Sequence, residues 1–367
     1  MKGRQARSLP VVMYHYVSDH ENTNSVSRLR FEEHCRVLAE NGWRGIGLDE
    51  AVAFLKDGVP LAEKSVLLTF DDGYLDNYLH ALPLLRRFGH KGVMFAVANR
   101  LERETIPRES LSDVLAGRHP LRGEVNFPVR ENELGHRVRR DIFCNLGEAR
   151  AMEESGVMAV AAHGRGHYGV YLGPEFTGFL KPGRQPRTFF LTEDPPVWGL
   201  PAFAVKPGLR ERAFLPNPEL VRSVAGLVPQ DYREADRFFS RPENVKALRR
   251  LVETFAGRLG RFETDRERQE RMWREIALGK EELETALGHG LEALCWPWGA
   301  WSPEALSLAR EAGFSVFLTT REGTNPPGKP LEVHRFKGRN REGRWLISRL
   351  GIYSRPWLGG LYARLRL

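Results

Sequence analysis

Two adjacent carboxylates, Asp71 and Asp72, stand at the end of the apolar run SVLLTF and are followed at once by Gly73. Neighbouring negative charges at a strand end are costly unless something positive sits beside them. The segment VMAVAAHGRGHYG, residues 157–169, offers the means to bring it, because it delivers His163 and His167 four positions apart after a run of small apolar residues. On a helix the two imidazoles would share a face. Gly164 and Gly166 favour a tight loop instead, and either arrangement can aim both rings at one point. Two histidines and one carboxylate leave an open position for water, the usual composition of a catalytic zinc site. In this reading Asp72, His163 and His167 hold a divalent metal, and Asp71 stays free beside it as a base. Zinc suits the donor set, and Co2+, Ni2+ or Mn2+ suit it too. Taken singly, an Asp-Asp-Gly is a turn and a pair of histidines is surface or core; only the two segments together point to a metal.

Those residues need elements to position them. Strand-like runs occur at 11–17, 65–70, 92–98, 157–163, 291–299, 315–320 and 331–336, and between several of them lie amphipathic stretches such as FEEHCRVLAENG and SPEALSLAREAG. Each of those two stretches closes on the glycine expected after a helix carboxyl end. Strand and helix in alternation predict an α/β fold with a parallel sheet or barrel. Two segments break the rhythm and read as insertions: the charge-rich 103–145 and the proline- and aromatic-rich 170–262.

The 367 residues are 41% hydrophobic and 28% charged, enough for a sizeable core. Cys35, Cys144 and Cys295 are too few and too widely spaced for a disulfide framework or a cysteine zinc site. No apolar run approaches the roughly 20 residues that cross a bilayer, and the amino-terminal stretch turns polar too soon for a secretory signal, so a cytoplasmic location is expected. Of the net charge of +8, the stretch from Lys337 to the end carries +7. The body is nearly neutral, and no nucleic-acid partner is expected.

At this point the sequence resembles the polysaccharide deacetylase family, carbohydrate esterase family 4. Thr69 to Gly73 match its Thr-Phe-Asp-Asp-Gly motif, and His163 and His167 match both histidines of its His-Ser/Thr-x-x-His motif, with Gly164 in place of the hydroxyl residue that hydrogen-bonds across that loop. Cys295-Trp296-Pro297-Trp298-Gly299 occupies the place of its Arg-x-Pro-Tyr motif: the proline is kept, while the arginine that orients the base carboxylate has become Cys295. The orientation of Asp71 must then come from elsewhere. The resemblance runs over roughly residues 9–336 and leaves both insertions unmatched.

The resemblance implies a distorted (β/α) barrel of the polysaccharide deacetylase type with two insertions, a catalytic domain over 1–340, and motifs on loops at the carboxyl ends of strands. It also implies metal-dependent removal of N-acetyl groups from an N-acetylated glycan, a polysaccharide or a lipid-linked precursor. Asp71 then serves as base and a backbone N–H near Tyr74 as oxyanion donor. The leaving amine needs an acid. His334 in LEVHRF is the candidate, one residue out of register with the family's Leu-x-His, and His15 on the first strand is its rival. Trp296 and Trp298, with Pro297 between them, would line the sugar site. An amidohydrolase acting on a small non-sugar amide and a non-catalytic carbohydrate-binding relative are the alternatives.

The last segment, 341–367, sets Leu346, Leu350 and Tyr353 at helical spacing and, after Pro356, resumes with Trp357, Leu361 and Leu365, flanked by arginines. One reading is a helix docked on the barrel. The other is an interfacial anchor on an anionic membrane surface, peripheral at its inner face.

Overall fold

The computed structural model describes residues 4–19, 24–107, 143–182 and 197–365 and, as backbone, 130–131 and 137–138. Most of the 103–145 insertion therefore lies outside the described residues, as does 183–196 of the second insertion.

Val11–Tyr14 (β1) and Ser65–Asp72 (β2) are buried along their whole lengths. Burial on both faces is what a continuous apolar run predicts for a parallel strand covered by helices. The two pair in parallel, with Val12 opposite Leu68. Gly92–Ala96 (β3) and Met158–Ala162 (β4) continue the sheet beyond β2. After an antiparallel pair outside this sheet, Gly169–Phe179 (β5) with Pro201–Pro207 (β6), the parallel series resumes with Ala293–Cys295 (β7), Val316–Leu318 (β8) and Phe336–Lys337 (β9). Strand order is β8-β7-β4-β3-β2-β1-β9, with short Arg44–Gly45 added on β2. The stretch leading into β9 joins the two edges of the curled sheet: Val333 bridges to Leu318 and Phe336 pairs with Val12. The result is a distorted parallel barrel.

Side chains alternate across each strand. One set, including Val11, Leu67, Val93, Phe95, Ala161, Cys295, Leu318 and Val333, forms the inner core. The other, including Val12, Leu68, Phe70, Met94, Val160, Leu294 and Phe317, packs against the helices. That parity decides which residues can reach the site.

The helices around the barrel include Arg28–Glu40 (α1), Leu48–Asp57 (α2), Leu82–Phe88 (α3), Leu146–Glu154 (α4), Gly279–Leu287 (α5) and Pro303–Glu311 (α6). α1 begins where the Ser27 side chain accepts from the Arg30 N–H. Gly42 and Gly313, the glycines closing the two predicted helical stretches, both adopt positive φ, 71° and 91°.

The second insertion builds its own core from Phe179, Leu180, Trp198, Leu220, Val224 and Leu248, separate from the barrel clusters. The tail splits in two. Gly343–Tyr353 (α7) buries Leu346, Leu350 and Tyr353, whereas Pro356–Arg364 (α8) and the residue after it leave Trp357, Leu361 and Leu365 exposed at 71%, 54% and 77%. Among the described residues no helix is long and apolar enough to cross a membrane.

Candidate active site

β2 ends in the two aspartates, and the parity of the strand separates them. Asp71 continues the inward series of Leu67 and Thr69. Asp72 sits at the rim, where the backbone turns through positive φ, 78° at Asp72 and 78° at Gly73. β4 ends at Ala162, and the chain then forms a loop, not a helix, so that His163 and His167 close on Asp72. Their Nε2 atoms each lie 3.6 Å from Asp72 Oδ1.

Those separations are too long for hydrogen bonds. They come close to the roughly 3.3 Å between two ligand atoms held about 2.0–2.1 Å from one tetrahedral ion. The second partner of His163 fits the same picture: its Nδ1 is 2.8 Å from the Cys295 carbonyl oxygen. Donation from Nδ1 to that carbonyl fixes the tautomer with the Nε2 lone pair turned to Asp72. Burial pushes both imidazoles down, His167 to about 3, so they are neutral and able to ligate. Burial alone would raise the Asp72 carboxyl; the positive charge beside it, with the Arg100 guanidinium 3.4 Å from Oδ1, outweighs burial and the net direction is down. The donor set therefore fits a divalent metal on this chain's own geometry.

Asp71 is 2% exposed and is held by Arg335, the residue that follows His334 in LEVHRF. Arg335 donates from Nη1 to Asp71 Oδ1 at 2.7 Å and from Nη2 to Oδ2 at 2.8 Å. It also donates to the Thr69 hydroxyl at 3.1 Å and the Thr319 carbonyl at 2.7 Å, and is itself 1% exposed. Its Nη2 lies 3.0 Å from Cys295 Sγ. The guanidinium thus fills the space beside Cys295, where the family motif would have placed an arginine. Burial would raise the Asp71 carboxyl, but Arg335 overcomes it and the net direction is down. Arg335 lies between the Val333 bridge and β9, two residues beyond inward-facing Val333.

The same parity removes two expected site residues. His334 lies between Val333 and Arg335 and is not brought to the cluster. Its backbone N–H donates to Asn325 Oδ1 at 2.7 Å, a Cβ on Gly323 would meet its ring at 2.5 Å, and its charged neighbours are Glu332 and Arg321. Trp296 follows inward-facing Cys295, so it points outward and is fully buried against Phe317 and Trp301. It is a core residue.

Other expected residues are gathered at the site. His15 lies near both Asp71 and Asp72. Trp298 stacks on His167 with ring centroids 5.5 Å apart and donates from Nε1 to the His167 carbonyl at 3.3 Å. Pro297 packs under the loop, its Cγ 2.9 Å from where a Cβ on Gly164 would be. Tyr74 stacks between Tyr16, at 3.8 Å, and Phe143, at 5.2 Å. Among the described residues, the non-glycine positions with positive φ are Asp72, His167 and Trp298. Each such residue costs of order 1–3 kcal/mol. All three meet here, which marks a site that the fold strains to build.

Residues 58–175 match the family model described as polysaccharide deacetylase. Over these residues the chain is similar to the polysaccharide deacetylase family. The match contains Asp71, Asp72, His163 and His167. Over 101 residues the chain is 37% identical to YxkH of Bacillus subtilis, provisionally named a polysaccharide deacetylase, which covers 28% of this chain and 36% of that protein. Over 183 residues it is 26% identical to the poly-beta-1,6-N-acetyl-D-glucosamine N-deacetylase of Escherichia coli, covering 49% of this chain and 24% of that one. The chain thus spans well under half the length of these curated relatives. The likeness of fold extends further, over nearly the whole chain, in solved structures. A de-N-acetylase from Aggregatibacter actinomycetemcomitans aligns with a TM-score of 0.60 at 17% identity, over 93% of this chain and 99% of that one. IcaB from Ammonifex degensii aligns at 0.54 and 19%, over 94% and 97%. At those identities the likeness is one of fold.

Proposed function

We propose that the chain is a metal-dependent N-deacetylase that removes acetyl groups from an N-acetylated sugar in a polysaccharide or lipid-linked glycan precursor. The observation that carries this reading is the pairing of two unlike carboxylates: Asp72 among two imidazoles, and Asp71 beside them, ionised and clamped by Arg335. A binding site would have no use for the second.

Asp72, His163 and His167 would hold the metal, zinc above all. Such an ion supplies Lewis acidity, polarising the acyl carbonyl and lowering the pKa of water to about 7. Asp71 accepts a proton from the attacking water, and Arg335 fixes which carboxylate oxygens are presented and prevents Asp71 from swinging to the metal. A backbone N–H near Tyr74 donates to the oxyanion that develops on the acyl oxygen. His15, which lies near both carboxylates, protonates the leaving amine, the role the sequence assigned first to His334. Trp298, held over His167, offers its ring to the sugar. The N-acetylglucosamine polymer named for the Escherichia coli relative supports a glycan as substrate class.

We further propose that the exposed face of α8 meets an anionic membrane surface. Trp357, Leu361 and Leu365 point outward together with Arg355 and Arg364, the composition of a face that lies among headgroups.

The deciding experiment is acetate release by the purified protein from N-acetylated oligosaccharides and from small soluble amides, with and without a chelator. Chelator-sensitive release from the oligosaccharides alone is expected. Release from the small amides alone makes it an amidohydrolase, and release from neither, with metal bound, removes the catalytic reading.

A further inference from the structure

The His163–His167 loop lacks the hydroxyl side chain that its motif resemblance leads one to expect, yet it holds two ligands in place with His167 at a φ of 58°. Something else must fix it. Three consecutive loop amides, Arg165, Gly166 and His167, all donate to one residue. The Glu275 carbonyl accepts from the Arg165 N–H at 2.9 Å, its Oε2 from the Gly166 N–H at 3.0 Å, and its Oε1 from the His167 N–H at 2.8 Å. Glu275 is 5% exposed and lies in a π-helical turn, Arg274–Leu278, that leads into α5. The fit is mutual. A Cβ on Gly164 would stand 2.5 Å from Glu275 Oε1, and one on Gly279 would stand 2.8 Å from the Arg165 nitrogen. A side chain at 164 and the carboxylate of Glu275 therefore exclude each other.

We propose that Glu275 is the positioning residue of the metal-binding loop, a carboxylate that replaces, from a distant helix, the bracing a hydroxyl at position 164 would give. The inference rests on the metal-site reading above. Glu275 touches neither the acyl group nor the reacting water; it acts through His163 and His167. Both of its oxygens are committed to amides, and it does not belong to the ligand set formed by Asp72 and the two histidines. A carboxylate accepts two N–H groups at once. Glutamine offers one acceptor and turns an NH2 toward the second amide, so it preserves shape and breaks the grip.

The test uses the full chain, with Zn2+ and Co2+ as probes. Their affinities are measured by competition with a chromophoric chelator for wild type, Glu275→Gln and Glu275→Asp, with Glu282→Gln as a control that loses only the Arg165 side-chain contact. Melting temperatures of the metal-free proteins are recorded beside them. Glu275→Gln is expected to weaken affinity by roughly ten- to a hundredfold, as for other groups that orient metal ligands. The Co2+ absorption spectrum should change, the metal-free melting temperature should hold, Glu275→Asp should fall between, and Glu282→Gln should bind as wild type. Unchanged affinity in Glu275→Gln overturns the proposal. So does a lowered metal-free melting temperature with unchanged affinity of the folded fraction, which would make Glu275 a fold residue only. Should Glu275→Gln not fold, Glu275→Asp decides on the same readings. A wild type that binds neither probe stoichiometrically fails earlier, and sinks the metal-site reading itself.

Discussion

Arg335 and Asp71, 264 residues apart in sequence, face each other inside the barrel through two parallel hydrogen bonds of 2.7 and 2.8 Å. The pair is 1% and 2% exposed. A buried charge pair of this kind adds little net stability, because desolvation offsets the attraction, but removing one partner strands the other. Its worth is in holding one carboxylate ionised and in one orientation.

Arg335→Ala is therefore expected to destabilise the protein by about 3–5 kcal/mol. Arg335→Lys keeps the charge but loses the two-pronged geometry, and should lower kcat while leaving metal content at wild-type stoichiometry. Chemical denaturation and elemental analysis separate the two effects. An Arg335→Lys enzyme with wild-type kcat would show that Asp71 needs no such orientation.

Asp71 and Asp72 are neighbours to which the proposal gives different work. Asp71→Asn should retain metal and lose roughly 10² to 10⁴ in kcat, whereas Asp72→Asn should bind metal weakly. Equal metal loss in both variants contradicts the division drawn from the 3.6 Å contacts of Asp72 alone.

The acid assignment is tested the same way. His15→Gln should reduce kcat with metal still bound, and His334→Gln, whose ring packs on Gly323, should leave kcat unchanged. The reverse result returns the role to His334.

How much of this was readable beforehand turns on parity. The candidate ligand cluster was legible because each motif is contiguous: two aspartates at one strand end, two histidines in one loop. Arg335 and Trp296 were harder, since both required knowing which face of a two- or three-residue strand looks inward, and a one-residue change of register reverses every assignment. Val333 in the inner core sets the answer for the extended stretch before the last strand, with Arg335 inward and His334 outward, just as Cys295 sets Trp296 outward. Glu275 carried no sequence signal beyond an acid in the apolar frame REIAL, because its role depends on a helix meeting a loop more than a hundred residues away. The alternation of strands and helices was legible throughout the barrel; the separate core of the second insertion was not, as its strands and helices lack that rhythm.

His34, in α1, makes a pH-dependent contribution to the fold. It is fully buried, its Nε2 is 2.8 Å from the Arg341 carbonyl and its Nδ1 is 3.1 Å from the Tyr14 hydroxyl. Burial pushes it down to about 4 from an ordinary 6.5. The unfolded chain thus binds the proton more tightly than the folded one. The contribution is complete above pH 6.5 and is lost as pH falls from there toward 4, amounting to about 2 kcal/mol by pH 5. Urea denaturation at pH 7.5 and pH 5 should show a steeper loss in wild type than in His34→Gln. Parallel losses in the two proteins would assign the acid sensitivity to other groups.

The carboxyl-terminal segment now divides into a part that cannot be removed and a part that can be changed. Leu346, Leu350 and Tyr353 of α7 are each 1% exposed or less and belong to the main core, and a Cβ on Gly343 would meet Val37 of α1 at 2.7 Å. Truncation before α7 would therefore expose the barrel, and loss of membrane binding by such a protein would mean little. Trp357, Leu361 and Leu365 are a different case, exposed and spaced four apart. The triple substitution Trp357→Ser, Leu361→Ser, Leu365→Ser removes the apolar face and should leave the melting temperature nearly unchanged. With vesicles containing anionic lipid, wild type should sediment at low salt and less so at high salt, since each arginine near the surface adds about 1 kcal/mol that screening weakens. The triple variant should stay in the supernatant in both conditions. If both proteins sediment alike, the contact lies elsewhere on the surface; if neither does, α8 has no membrane role, and a lipid-linked substrate loses its structural support while the acetate-release result on soluble glycans stands unaffected.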